Sequence, residues 1–409
     1  MIAPLWGGSR QRLARLARAL PGSSRSWGPP RRVARSTLEW VATHGSGAGL
    51  PTGREIHRPI DIHRNPSRVM QSAIDWDHLE GNRDDRWGPS ALRVTTWPTF
   101  VAEIPNGRVV THNGTVLTHD DTLLTDASCE FGPGEHTVLQ RLWLGRPSSQ
   151  RARIAVIAAN YGHVYYHWMF DVLPRIELLR LGGYDLDEFD DVIVNPIVSS
   201  LQTETLATIG IRSWISPDLE ERRFHITAER LVVPSVVGES GVAAPWVVDF
   251  LRRTFLPDPL AVRPFSDGRR IYVSRDDAAV RRVRNEIDLV AALERVGFES
   301  VTLSGRTIAD QAMLFGSADV IVAPHGSGLT NLAFANRGTR VVEIYPRSYA
   351  NPVSWHISNL VGAVHYSIFA DAVPRAGFGA NCDDIEVDIR ATMKVVEGAL
   401  TGGHSRSHR

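Results

Sequence analysis

From Arg153 onward, apolar and polar positions fall into blocks that predict strands followed by helices. "RIAVIAA" is a continuous apolar run of strand length, and "YYHWMFDVLPRIELLRLGG" follows it with helical spacing. "DVIVNP", "SLQTETLATIGI" and "RLVVPSVV" then read as strand, helix and strand. A stretch rich in Pro, Asp and Gly, "LPDPLAVRPFSDGRR", reads as a linker, and the alternation restarts beyond it. "IYVSR" is a strand, and "RNEIDLVAALERVGF" is a helix with Asn285 as N-cap and Gly297 as its stop. "ESVTL", "TIADQAMLFGSA", "DVIVAPHG", "LTNLAFAN" and "RVVEIYP" continue as strand, helix, strand, helix and strand, with "AVHYSIF" as one more strand. This alternation implies βαβ units and mostly parallel sheets.

Residues 41–150 are patterned differently, with short alternating pieces between Gly, Pro and Asp. The pairs Asn106-Gly107 and Asn113-Gly114 predict hairpins there. The organisation expected is a leader over residues 1–40 and an N-terminal domain over 41–262, β-rich to 150 and Rossmann-like over 151–262. A second Rossmann-like domain over 263–372 and a C-terminal helix and tail over 373–409 complete it.

At 409 residues, with 43% hydrophobic and 22% charged content, the chain is a globular protein of more than one domain. Its formal net charge is zero, so no global field recruits nucleic acid, and any anion site must be local. Of the 45 basic residues only Lys394 is lysine, so an arginine at a given place is weak evidence by itself. Two cysteines far apart, Cys129 and Cys382, make neither a zinc spacing nor a disulfide framework. The leader sets eight arginines against one acid, Glu39, and places Leu13, Leu16 and Leu20 on one helical face. It is a candidate for peripheral membrane contact or simply a frayed basic segment.

Three stretches can carry chemistry. In "ADVIVAPHGSGLTNLAF" a strand runs into His325, Gly326, Ser327 and Gly328 at the start of a helix. Backbone N–H groups and the helix dipole favour an anion there. The stretch is neither GxGxxG nor a P-loop, and a turn without a ligand is the competing reading. Arg275 follows a strand directly, with Arg281 and Arg282 behind it, and guanidinium groups suit a diphosphate. Glu343 lies in an otherwise apolar strand, where it can accept from sugar or ribose hydroxyls or be satisfied internally. In "NYGHVYYHWMFDVLPR", His163, His167 and Asp171 share one face if helical. They read as a metal site, a general base or packed core; three ligands in line do not converge well on an ion, which favours the base. No spaced DxD and no GxSxG elbow occurs.

These blocks, in this order, resemble glycosyltransferase family 61, with Ser327 where the family has alanine. The resemblance covers Ile154 to Phe369. It implies a GT-B enzyme of two Rossmann-like domains facing a cleft, inverting and independent of a metal. The donor, a UDP- or GDP-sugar, would be held by Arg275, Arg281, His325, Gly326, Ser327, Gly328, Asn331 and Glu343. His163, His167 and Asp171 would face a glycan or lipid-linked acceptor. No other cofactor and no nucleic acid are expected. The arginine-heavy composition points to a bacterial, cytoplasmic protein and the basic N-terminus to peripheral contact at the inner face of the membrane; surface or capsular polysaccharide as the product is what the resemblance implies. A non-catalytic nucleotide-binding protein or an oxidoreductase of the same fold class is the alternative.

Overall fold

The computed structural model describes residues 28–45, 49–65, 68–69, 92–130, 136–221, 223–256 and 268–401. Residues 1–27 of the arginine-rich leader and most of the proline-rich linker lie outside these residues, whereas residues 28–40, expected as part of a frayed leader, include a strand paired at Arg32–Ala34 and the start of the helix Thr37–His44. The fold is α/β, and the chain divides into two compact units: Met1–Ile60 with Trp97–Ser240, and Asp61–Thr96 with Gly241–Arg409.

In the first unit a mixed sheet is built from β1 (Arg32–Ala34), β2 (Thr52–His57), β3 (Thr99–Pro105), β4 (Arg108–Val110), β5 (Thr115–Leu117), β6 (Thr122–Leu124), β7 (Ser148–Val156), β8 (Asp191–Ile193), β9 (Trp214–Ile215) and β10 (His225–Pro234). The order is β1-β6-β5-β4-β10-β7-β8-β9, with β3 also on β10 and β2 on β3. β10, β7, β8 and β9 are parallel, whereas β3 and β4 run antiparallel to β10. Residues 52–57 and 99–124 of the β-rich opening region are therefore part of the same sheet, whereas 61–96 belong to the second unit. Its hydrophobic face joins Val109, Val116 and Leu124 to Ile154, Val156 and Leu231 in one core. The Asn113-Gly114 pair closes the β4–β5 hairpin as expected. Asn106-Gly107 does not make a hairpin, because β3 and β4 both pair with β10. A Cβ on Gly107 would lie 2.8 Å from the Leu231 side chain, which explains the glycine.

Helices α1 (Thr37–His44), α2 (Pro174–Leu181) and α3 (Ser200–Ile209) belong to this unit. The apolar run after β7 is broken into three pieces: an α-turn at Tyr165–His167, a π-helical turn at Trp168–Val172, and α2, which starts on Pro174. A proline at the first helical position loses no hydrogen bond. α3 is bounded by a Ser199–Gln202 capping box and by Gly210 at φ 97°. Along the parallel strands the chain runs from β7 outward to β8 and β9, then crosses to β10 on the other side of β7. The strand order thus reverses between β7 and β10.

In the second unit β11 (Arg270–Val273), β12 (Phe298–Val301), β13 (Val320–Pro324), β14 (Arg340–Pro346) and β15 (Val364–Val373) form a parallel sheet of order β12-β11-β13-β14-β15. β16 (Asp384–Glu386) adds antiparallel to β15, and residues 68–69 add parallel to it. The helices are α4 (Pro245–Phe255), α5 (Glu286–Glu294), α6 (Ile308–Gly316), α7 (Val353–Val361) and α8 (Ile389–Thr401). Tyr272, Val322, Val342, Ile344 and Ile368 form the core with Leu289, Leu293 and Val396. Gly297, at φ 82°, ends the α5 region as expected. Asn285 holds the N-cap position without capping; its amide instead bonds both the N–H and the C=O of Val387. The "LTNLAFAN" segment is a 3-10 helix, Ser327–Phe334, not the α-helix expected from its apolar spacing.

Candidate functional site

In the second unit the strand order reverses between β11 and β13, and in sheets of this kind ligands bind beyond the carboxyl ends of the strands at such a point. The residues just past those two strand ends are Arg275 and His325-Gly326.

Arg275 is held from behind. Its Nε donates to Arg281 O at 3.2 Å and its Nη2 to Val280 O at 2.9 Å. Glu286 fixes the turn by accepting from Tyr272 Oη at 2.7 Å and Ser274 Oγ at 2.9 Å. The third nitrogen, Nη1, lies where a side chain on Gly326 would be, 2.0 Å from an ideal Cβ. Gly326 is thus required for close approach; its backbone, at φ 173°, is extended and unstrained. Arg281 takes a left-handed conformation, φ 59°, uncommon for a side chain of its size. Its Nε is shielded from solvent and has no hydrogen-bond partner among the described residues.

Neither arginine forms an ion pair with a carboxylate among the described residues. Burial draws both pKa values down, that of Arg275 to about 10 with further help from Arg281. Two half-buried cations side by side, with no carboxylate in direct ion-pair contact, favour an incoming anion. Arg282, by contrast, is exposed, and its guanidinium bonds Ala278 O and the Asp276 carbonyl at the surface.

His325 ties β13 to β14 twice, through its N–H to Ile344 O at 2.8 Å and through Nδ1 to Glu343 Oε1 at 2.6 Å. Its ring stacks on Tyr345 at 4.9 Å. Glu343 is wholly buried; Tyr345 Oη donates to its Oε2 at 2.5 Å and His365 Nε2 lies 3.1 Å from the same oxygen. Burial pushes this carboxyl up, but the bonds and charge from His325 and His365 outweigh it and hold the pKa at about 2. With both oxygens engaged and no exposed surface, Glu343 reaches a ligand through His325 instead of touching ribose. His365 and Tyr345 were not singled out in the sequence; a polar residue at alternate positions of two adjacent apolar strands is the signal that marks them.

Ser327 and Gly328 are half-buried at the start of the 3-10 turn. Asn331 is fully buried, with its amide on Gln311 Oε1 at 2.8 Å and Gly328 O at 3.1 Å. It ties the loop to α6 and presents nothing to a ligand. Thr330 Oγ1 is buried without a partner.

In the first unit the reversal between β7 and β10 places the segment after β7 at the equivalent point. His167 Nδ1 and Asp171 Oδ2 are 2.6 Å apart. The π-turn begins between them. Such turns frequently mark functional sites. His167 is half-buried and Asp171 lies behind it, 8% exposed, its carboxyl raised by burial against the pull of His167. Behind Asp171, the fully buried Arg175 donates to Ala158 O and Pro234 O, which joins the carboxyl ends of β7 and β10. Burial lowers it to about 9, opposed by Asp171. His163 is not on this helical face, because it sits in the turn before the helix begins. Its Nδ1 is buried with no partner, and burial, with His167 nearby, lowers its pKa. Among the described residues no group of three or more His, Cys, Asp or Glu could hold a metal ion.

Residues 165–342 match the family model described as Glycosyltransferase 61. The match runs from two residues before His167 to one before Glu343, and it bears out the resemblance seen in the motifs. A curated relative, the beta-1,2-xylosyltransferase XAX1 of Oryza sativa subsp. japonica, is 35% identical over 107 residues. That stretch covers 26% of this chain and 18% of the relative, so the chain spans less than a fifth of the relative's length.

Proposed function

We propose that this chain is an inverting glycosyltransferase of the GT-B type that takes a sugar from a nucleoside-diphosphate donor to a hydroxyl group. The carrying observation is the pair of half-buried arginines Arg275 and Arg281, neither in ion-pair contact with a carboxylate among the described residues, with Arg275 packed against Gly326 just past the switch point of the second sheet. A diphosphate supplies the charge this site lacks, and guanidinium groups bind its oxygens in pairs. As the donor's negative charge arrives, His325 gains affinity for a proton at Nε2, while Glu343 holds Nδ1–H. Charge developing on the departing nucleoside diphosphate is then met by the arginines and this imidazole in place of a metal.

On the acceptor side, His167 takes the proton of the attacking hydroxyl, and Asp171 orients the ring and stabilises the imidazolium. The new glycosidic bond forms as the bond from the anomeric carbon to the diphosphate breaks, in one displacement that inverts the centre. The family match supports this chemistry, and the named relative supports a pentose as one donor sugar to test. Surface or capsular polysaccharide as the product rests on the resemblance alone.

The test is calorimetric titration with UDP, GDP and their sugars, with and without EDTA, on wild type and Arg281→Gln. Micromolar binding that survives EDTA and weakens at least tenfold in the variant is expected. A complete loss of binding in EDTA would overturn the arginine reading. A purely nucleotide-binding protein is separated by His167→Asn, which would leave its activity unchanged.

A further inference from the structure

Among the described residues three aromatic side chains are largely exposed: Trp143, Tyr161 and Phe378. Two of these rings already have a cation over one face, Arg223 at 5.2 Å from Trp143 and Arg375 at 5.3 Å from Phe378. Among the described residues, Tyr161 has no cation over it and its hydroxyl has no hydrogen-bond partner. It is 53% exposed, and its ring centre lies 5.8 Å from that of His167 and 6.4 Å from that of His163. Val164, 37% exposed, adds a second apolar group to the same short stretch.

The backbone holding this ring is costly to maintain. Gly162 N–H donates to Ala159 O at 3.1 Å, which closes a turn with Tyr161 at its third position, φ 56°. Glycine or asparagine is the usual occupant of such a position, and a bulky side chain there costs roughly 1 kcal/mol or more. The surroundings enforce it. Asn195 accepts from Ala159 N–H at 2.9 Å and donates to Ala159 O at 2.7 Å, and its Oδ1 lies 2.0 Å from where a Cβ on Gly162 would sit. Asn160 is pinned from the other side by Asn113 Nδ2 at 3.1 Å. The ring contributes no core packing that would repay the strain.

We infer that Tyr161 is a stacking platform for a saccharide ring of the acceptor, set beside the base His167. The negative face of an aromatic ring attracts the C–H bonds on the less polar face of a sugar, and the free hydroxyl is available to the sugar's own hydroxyls. The inference rests on the transferase reading, but it concerns residues outside the family-matched span, which begins at residue 165.

The experiment uses the full chain as wild type, Tyr161→Phe and Tyr161→Asn. Each is fluorescently labelled and read on a printed panel of neutral oligosaccharides, with UDP and GDP titrated in parallel. Wild type and Tyr161→Phe should be retained by the same saccharides, and Tyr161→Asn should be retained about fivefold less. Asparagine suits the left-handed position, so the Asn variant should melt at the same temperature or higher. Equal retention by Tyr161→Asn, or no retention of wild type, would overturn the platform, as would a lower melting temperature, which would show that the ring serves the fold. Failure of the nucleotide titration would instead remove the transferase reading, so the two can be told apart.

Discussion

Gly326 and Gly328 are two residues apart, yet a methyl group on each meets a different kind of obstacle. At Gly326 it would lie 2.0 Å from Arg275 Nη1, a guanidinium already held by two carbonyls. At Gly328 the obstacle is Leu303 Cδ1 at 2.9 Å, the far end of a flexible side chain. Gly326→Ala should therefore weaken nucleoside-diphosphate binding at least tenfold by displacing Arg275, whereas Gly328→Ala should change it less than threefold. Isothermal titration of both variants checks the contrast, and equal effects would refute the role given to Arg275. At the other site, His167→Asn should lower kcat by about a hundredfold or more with donor affinity unchanged, the usual scale for removing a general base. Asp171→Asn should lower it less, because orientation is lost before the proton acceptor is; single-turnover kinetics would show the order.

The strand and helix alternation was legible because each strand is a closed apolar run between polar or glycine boundaries. What was not legible is the kind of helix. "WMFDV" and "SGLTNLAF" have apolar spacing compatible with α, 3-10 or π turns, and the choice is made by what the turn must satisfy. In the 3-10 segment Asn331 points inward and donates to Gln311 on α6. Spacing placed His163 on the His167 face, but the helix starts only at Tyr165, after the Tyr161 turn. The places of Arg275 and His325 just past strand ends, and of His167 and Asp171 in the segment after a strand, were legible because strand ends are visible in sequence. The inward roles of Asn331 and Glu343 were missed because burial within a sheet is a long-range property. Asn331→Ala leaves the buried Gln311 Oε1 and Gly328 O without this donor. It should destabilise the second unit by about 1–3 kcal/mol, readable by urea denaturation. A neutral effect would contradict the structural assignment.

Acid tolerance belongs to the whole molecule, because each unit contains a histidine buried in its neutral form. In the first unit, burial lowers the pKa of His225 to about 4, with Arg108 adding to the effect and the Gly145 carbonyl opposing it. In the second, burial and then Arg64 lower that of His356 to about 4, against the Ala243 carbonyl. The hydrogen bond from Arg64 acts in the same direction as burial: Nδ1 accepts from Arg64 Nε at 3.0 Å, while Nε2–H donates to Ala243 O at 2.8 Å. A proton on Nδ1 would put two donors face to face. The unfolded imidazole titrates near 6.5, so the unfolded chain binds more protons between there and about pH 4. Stability from these groups is complete above pH 6.5 and is lost as the pH falls toward 4, by an amount on the order of 3 kcal/mol for each histidine. Glu343, held at about 2, adds a further loss below its ordinary value of 4.5. Calorimetry from pH 8 to pH 4 should show melting temperatures level down to about 6.5 and falling below it. His356→Gln, whose amide offers one donor and one acceptor but no basic nitrogen, should flatten the fall contributed by the second unit and leave that of the first in place. An unchanged pH dependence in this variant would show that the acid sensitivity comes from other groups.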